Sequence, residues 1–163
     1  QEGLASLQII FNIFRQKPIT ELFDDAKTKG VSLIVRLPLA SGLLGGKLNP
    51  NVSFPENDHR TFNSDGQCFN VGETFAGIPF NIGLDIVEEL KKMTPEGMTL
   101  AQMSLRWILD FDAVTVVIPG SKSPLQIPDN ASATHLPSLP KSLHDKLSSF
   151  YNKEIAQHIR GKY

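Results

Sequence analysis

Apolar residues run almost unbroken over residues 7–14 (LQIIFNIF), 31–35 and 114–118, and these three runs predict β-strands. Between the first two, Ile19, Leu22, Phe23 and Ala26 recur at helical spacing behind Pro18, with Asp24 and Asp25 turned outward and Gly30 placed to stop the chain. A helix over residues 18–29 is expected there. Strand, helix and strand in this order make one right-handed crossover of a parallel sheet.

Residues 37–80 break the pattern. The segment is rich in Gly, Pro, Asn and Asp, and such a loop, far longer than an ordinary connection, is functional or disordered. Its spaced aromatic residues (Phe54, Phe62, Phe69, Phe75, Phe80) predict that it folds down as a capping segment over about residues 39–80. Helical spacing resumes with Ile82, Ile86, Val87, Leu90 and Met93. Thr99 and Gln102 then match a capping box ahead of a helix reaching Leu109. A last amphipathic helix is expected over residues 140–151, with Leu143, Leu147 and Phe150 inward.

The strand at 114–118 carries four β-branched aliphatic residues besides Thr115, which suits a strand covered on both faces. Pro119 and Gly120 end it. Ser121, Lys122 and Ser123 follow, with Pro124 where a helix tolerates proline and Ser123 and Gln126 in a second capping-box pattern. Small residues, a lysine and a helix start make this loop a candidate cradle for a phosphate.

The order is α/β with three predicted strands, and three parallel strands cannot close a barrel. An eight-stranded α/β barrel needs typically ~250 residues. The 163 residues therefore fit either the C-terminal part of such a barrel or a small open sheet. A start directly on a strand favours the barrel. An open strand edge is in either case an aggregation hazard.

Sixteen Lys and Arg against seventeen Asp and Glu, mixed along the chain, give no basis for binding nucleic acid or anionic lipid by bulk charge. No apolar run approaches the roughly 20 residues of a membrane span, and no secretion signal is visible at the start. The lone Cys68 excludes an internal disulfide and reads as a loop thiol; together these features predict a cytoplasmic location. No His, Cys and Asp spacing matches a metal site. His59 beside Asp58 and Arg60 reads as a salt-bridged anchor for the loop, with an acid–base role the lesser reading. His135, His144 and His158 read as surface residues, and Trp107 as core.

Several motifs taken together resemble the aldo-keto reductase superfamily over nearly the whole chain. They are Gln8 with Phe11-Asn12; Arg36-Leu37-Pro38-Leu39-Ala40-Ser41-Gly42-Leu43-Leu44 with Gly46-Lys47; Asp58-His59-Arg60 with Phe62-Asn63; Glu73-Thr74-Phe75 with Gly77; Ala101-Gln102 ahead of Leu105-Arg106-Trp107; and Ile118-Pro119-Gly120-Ser121-Lys122 with Pro124, Gln126 and Asn130. The resemblance implies a TIM barrel of which this chain supplies strands six to eight, the N-terminal half being absent, and NADP(H) as cofactor. It places Gln8 on the nicotinamide carboxamide, with Arg36 where many relatives stack a tyrosine. Pro38, Leu39, Ser41 and Lys47 would fold over the pyrophosphate. Gly120, Ser121, Lys122 and Gln126 would hold the adenosine 2′-phosphate, and Asp129 and Asn130 the adenine. For Arg36 a second role stands beside this one, pairing with a loop carboxylate.

Two departures stand out. Pro128 is expected inside the helix that Ser123 caps, where an interior proline costs ~3 kcal/mol and bends the chain before Asn130. Gly45, where many relatives carry threonine, loosens the loop. The Tyr, Lys, Asp and His that the family uses to reduce a carbonyl belong to the first half of the barrel; Tyr151 and Tyr163 are not credible proton donors, so the chain carries no catalytic residue on this reading. The implied partners are a small carbonyl substrate and the N-terminal half barrel. The alternative is a non-catalytic barrel fragment serving as a nucleotide-binding or protein-interaction module.

Overall fold

A computed structural model describes residues 3–161, so Tyr163 lies outside the described residues. Strand β1 (Ser6–Ile10) leads through a tight turn to two short helices, α1 (Pro18–Glu21) and α2 (Phe23–Thr28), and back to strand β2 (Ser32–Arg36). The capping segment follows, with α3 (His59–Phe62) as its one α-helix among several 3-10 turns. Helices α4 (Phe80–Met93) and α5 (Leu100–Leu109) precede strand β3 (Val114–Val117). Helices α6 (Gln126–Ser132) and α7 (Lys141–Phe150) complete the order, α7 running on through a wider π-type turn at Tyr151–Ile155. The three strands form one parallel sheet in the order β1-β2-β3.

Only one face of that sheet is covered. Leu7 and Ile9 of β1 sit beside Leu33 and Val35 of β2, and all four join a core with Phe23 and Ala26 of α2, Trp107 and Ile108 of α5 and Leu147 of α7. Alternation along a strand sends Gln8, Ile10, Ile34 and Arg36 to the opposite face. In β3 the register slips by one residue between Leu33 and Ile34, so Thr115 is the extra residue of a bulge and Val116 falls beside Ile34 on the open face. The Thr115 hydroxyl accepts the Leu33 N–H at 3.2 Å, satisfying a donor the bulge would leave unpaired. The expectation that this strand is covered on both faces is overturned: Val116 is 42% and Ile118 46% exposed, because β3 is an edge strand with one bare side.

Other boundaries moved for local reasons. The first run ends as strand at Ile10, since Asn12 closes a turn with Arg15, the Arg15 N–H donating to the Asn12 carbonyl at 2.8 Å. This turn carries Phe11, Ile13 and Phe14 into the interior. The helix expected over residues 18–29 breaks at Leu22 (φ −133°), and Phe23 beyond the break packs edge-on against Phe11 with centroids 4.9 Å apart. Gly30 ends α2 with φ +64°, as expected of a terminator. The Thr99–Gln102 capping box is present with both reciprocal bonds.

Trp107 is core, 1% exposed and stacked on Phe11. His144 is not the surface residue expected: its imidazole lies over the Trp107 ring and meets the buried Asp110 carboxylate at 3.0 Å, where Asp110 also accepts from Arg106 Nε and the Leu139 N–H. Residue spacing on α7 marked Leu143 and Leu147 as inward but carried no sign that the neighbouring His144 would meet a carboxylate from α5's end.

Gly83 lets the turn after β2 approach α4. A Cβ built there would stand 2.7 Å from Leu43 Cδ1, inside contact distance. Gly83→Ala gains about 1 kcal/mol of helix propensity but overpacks Leu43 by roughly 1–3 kcal/mol, and a net lowering of the melting temperature is expected in thermal denaturation. Asp110 supplies a pH test. Burial alone would raise its pKa, but bonds from His144, Leu139 N–H and Ser138, with the Arg106 charge, outweigh burial and hold it below the ordinary 3.8. Its stabilising contribution is therefore complete above that value and lost as pH falls through the lower folded pKa. Urea midpoints measured between about pH 2 and 5 should fall on acidification, and less so in Asp110→Asn.

Candidate functional site

The site lies at the C-terminal end of the sheet, where the chain leaves β2 and β3. Arg36 is the last residue of β2 and sits beside Ile10 of β1. The following turn is built from left-handed backbone at three non-glycine residues, Leu37 (φ +50°), Ala40 (+48°) and Ser41 (+55°). Opposite, in the capping segment, Phe75 (+51°) and Ala76 (+58°) adopt the same conformation. Such residues cost roughly 1–3 kcal/mol each and persist where surrounding structure over-determines them. Here Ala40, Leu43, Leu44, Phe75, Ala76 and Ile78 are all buried, and Asn12 Nδ2 ties the Leu37 carbonyl to the β1 turn at 2.8 Å.

Ser41 joins the two turns. Its hydroxyl oxygen accepts the Phe75 N–H at 3.0 Å, donates to the Glu73 carbonyl at 3.4 Å, and lies 3.3 Å from His59 Nε2. The Glu73 carboxylate in turn grips Arg36 at both ends of the guanidinium, with Nη1 to Oε1 at 2.7 Å and Nη2 to Oε2 as the second contact. This pairing holds the Arg36 pKa above its ordinary value despite partial burial.

Asp58 is the second anionic centre. It caps α3, accepting the Arg60 N–H at 3.0 Å, and its two oxygens take Arg60 Nε (2.9 Å) and Nη2 (2.6 Å). These bonds hold its pKa far below the usual carboxylate range. Arg60 stacks on Phe54, 3.9 Å from the ring centroid. Lys122 reaches Asp58 from the loop after β3, its ammonium 3.8 Å from Oδ2. Burial lowers the His59 pKa below its ordinary value, and the Asp58 charge only partly offsets this. It lies 3.5 Å from Asp58, within the ion-paired anchor that its neighbours predicted.

The loop after β3 differs from its expected form. Helix α6 begins at Gln126, so Pro124 stands in a turn ahead of it, and Ser123 makes no side-chain cap. Gln126 reaches back instead, its Oε1 accepting the Lys122 N–H at 2.6 Å and the Ser123 N–H at 3.2 Å. Pro128 becomes the third residue of α6, in the first turn, where the backbone N–H has no partner within the helix; the interior-proline cost does not arise. Asn130 Nδ2 donates to Ser121 Oγ at 3.2 Å.

Arg60 Nη1 donates to the Ser41 carbonyl at 3.5 Å, so Arg36, Ser41 and Lys122 are linked through Glu73, Asp58 and Arg60, and Ser121, Lys122, Gln126 and Asn130 form a second group. Gln8 is exposed on the open sheet face beside Ile34, Pro38 is buried and Leu39 half-buried under the turn, and Lys47 and Asp129 point to solvent without joining either group. In the second group a Cβ at Gly120 would meet nothing within 4 Å and the Lys122 side chain is 75% exposed, so both face open space. The Arg36–Glu73 pair is the loop-carboxylate role that the sequence offered for Arg36 as its alternative, although Glu73 was not singled out as the carboxylate; Asp58 as a partner of Lys122 and Asn12 as a tie between turns were missed. Their motifs were visible, but pairing across 37 residues (Arg36–Glu73) leaves no local signal.

Among the described residues no group of three or more His, Cys, Asp and Glu could hold a metal, and no helix is long and apolar enough to cross a membrane. Cys68 is an exposed thiol.

Comparison with known proteins gives this arrangement a family. The model of the aldo/keto reductase family matches residues 3–152. An aldo-keto reductase of Strobilurus tenacellus is 30% identical over 137 residues, 82% of this chain and 38% of that protein. An L-glyceraldehyde 3-phosphate reductase of Escherichia coli K12 is 31% identical over 69% of this chain and 31% of its own length. The chain therefore spans about a third of the length of these relatives. Among solved structures, a glycerol dehydrogenase of Gluconobacter oxydans aligns with TM-score 0.72 at 19% identity over 97% of this chain and 45% of its own. A Klebsiella pneumoniae aldo/keto reductase, solved with NADP and acetate, aligns with TM-score 0.54 at 18% identity over 90% and 39%. The structural likenesses carry the α/β-barrel type of fold, and the family match carries the rest: this chain belongs to the aldo/keto reductase family of oxidoreductases.

Proposed function

We propose that the chain is the C-terminal, cofactor-binding part of an NADPH-dependent aldo-keto reductase that reduces small aldehydes or ketones, with β1, β2 and β3 as strands six to eight of the barrel. The catalytic Tyr, Lys, Asp and His would then come from the part of the barrel that precedes them. The observation that carries this reading is the convergence of Arg36, Ser41 and Lys122, from the loops after β2 and β3, at the C-terminal end of a parallel sheet. Barrel enzymes place phosphate sites at the loops following their seventh and eighth strands. Aldo-keto reductases use NADP(H), and one structural neighbour is a complex with NADP.

On this reading NADP(H) supplies the hydride, and this chain holds the dinucleotide. Gly120, Ser121 and Lys122 would carry the adenosine 2′-phosphate, with Asp129 and Asn130 toward the adenine and Asn130 Nδ2 bonded to Ser121 Oγ. Gln126 already occupies the Lys122 and Ser123 N–H groups, so its role is to shape the loop while the side chains of Ser121 and Lys122 meet the anion. Pro38, Leu39, Ser41 and Lys47 would line the pyrophosphate, and Gln8 and Arg36, sharing the uncovered sheet face, the nicotinamide.

The test is selectivity between dinucleotides in the protein that carries this chain. Only NADPH has the 2′-phosphate, and a charge-assisted bond contributes ~1.5–3 kcal/mol. Lys122→Ala should weaken NADPH by roughly ten- to a hundredfold and NADH little, in fluorescence titration. Equal loss for both rejects the assignment. The reading frame upstream of Gln1 tests the remainder: it should continue into the first part of the barrel, and an in-frame stop there would overturn that half of the proposal.

A further inference from the structure

We infer that Glu73 is a positioning residue that sets the balance between oxidised and reduced cofactor, by holding the Arg36 guanidinium in one plane and cancelling its charge beside the nicotinamide. The inference rests on the proposed placement of Arg36 against that ring. The grip is two-pronged, from both guanidinium nitrogens to both carboxylate oxygens, and half-buried, with side chains 33% and 26% exposed. Glu73 is itself fixed: its carbonyl accepts from Ser41 Oγ and its N–H donates to the Asn70 carbonyl at 2.9 Å. Paired forks of this kind fix orientation as well as charge.

The consequence follows from the charge of the ring. An oxidised nicotinamide is a cation and a reduced one is neutral, so an unpaired arginine beside it repels only the oxidised form. With Glu73 in place the pair is neutral overall and the two forms are treated alike. Glu73 thereby acts on the cofactor through Arg36, without touching it.

Substituting Glu73→Gln keeps the shape and one acceptor but leaves the Arg36 charge uncompensated. In the protein that carries this chain, the ratio of the NADP⁺ to the NADPH dissociation constant should rise roughly five- to twentyfold, the range expected for two charges near contact at a partly screened site. NADPH is titrated by its own fluorescence and NADP⁺ by competition against it. Arg36→Gln leaves the carboxylate alone and should move the ratio in the opposite direction, which keeps the inference testable should one variant fold poorly. A ratio unchanged in both variants, with both affinities reduced together, assigns Glu73 a merely structural role and overturns the inference while leaving the cofactor reading intact. Failure of the unmodified protein to bind either dinucleotide overturns both.

Discussion

The Ser41 hydroxyl is the point on which the geometry of the site depends. Ser41 sits in a left-handed turn, which a serine adopts at a cost, and the cost is matched by what its oxygen does: it takes the N–H of Phe75, gives its proton to the carbonyl of Glu73, and approaches His59. Two strained turns from distant parts of the chain are locked face to face by one short side chain. The buried Leu43, Leu44 and Ile78 then pack around that lock. Backbone strain of this kind marks places where surrounding structure over-determines conformation, and here it lies beside the predicted cofactor residues.

From this lock follows the distribution of charge. With the capping segment held down, Glu73 lies against Arg36, and Asp58 lies between Arg60 and Lys122. Arg36, Arg60 and Lys122 are each met by a carboxylate from the capping segment. The pairs are not equivalent. Arg36–Glu73 and Arg60–Asp58 are close, two-pronged and shielded, whereas Lys122 is 75% exposed and 3.8 Å from Asp58, a contact solvent screens to little. Lys122 is therefore the most loosely held of the three cations, while Arg36 and Arg60 are fixed in place by their carboxylates.

How much of this was legible in the sequence divides by the distance over which the signal acts. The capping box at Thr99 and Gln102 and the terminator Gly30 are local patterns found where they were placed, and each apolar run holds a strand, though the first only as far as Ile10. The loop after β3 was legible as composition but not as geometry: Gln126 competes for the N–H groups that a capping Ser123 was expected to organise, shifts the helix start, and makes Pro128 harmless. The coverage of β3 was misread because β-branched runs report burial of one face as readily as two. The partners of Arg36, Lys122 and His144 come from 34 or more residues away, and nothing in a residue's neighbours encodes such pairings.

The one-sided sheet gives these pieces a common logic. Leu33 and Val35 of β2 are sealed by helices while Ile34 and Arg36, alternating with them, face away from the core. The Thr115 bulge preserves this division across β3, since it returns Val117 to the core side and leaves Val116 beside Ile34. Without the bulge, a one-residue slip would send the following side chains to the wrong face. Val116 would then fall beside Val35 on the core side and Val117 on the face that Gln8, Ile34 and Arg36 occupy. The bulge is satisfied by the Thr115 hydroxyl itself. The one polar residue in an otherwise aliphatic strand thus keeps the face that bears Gln8 and Arg36 separate from the face that holds the fold together.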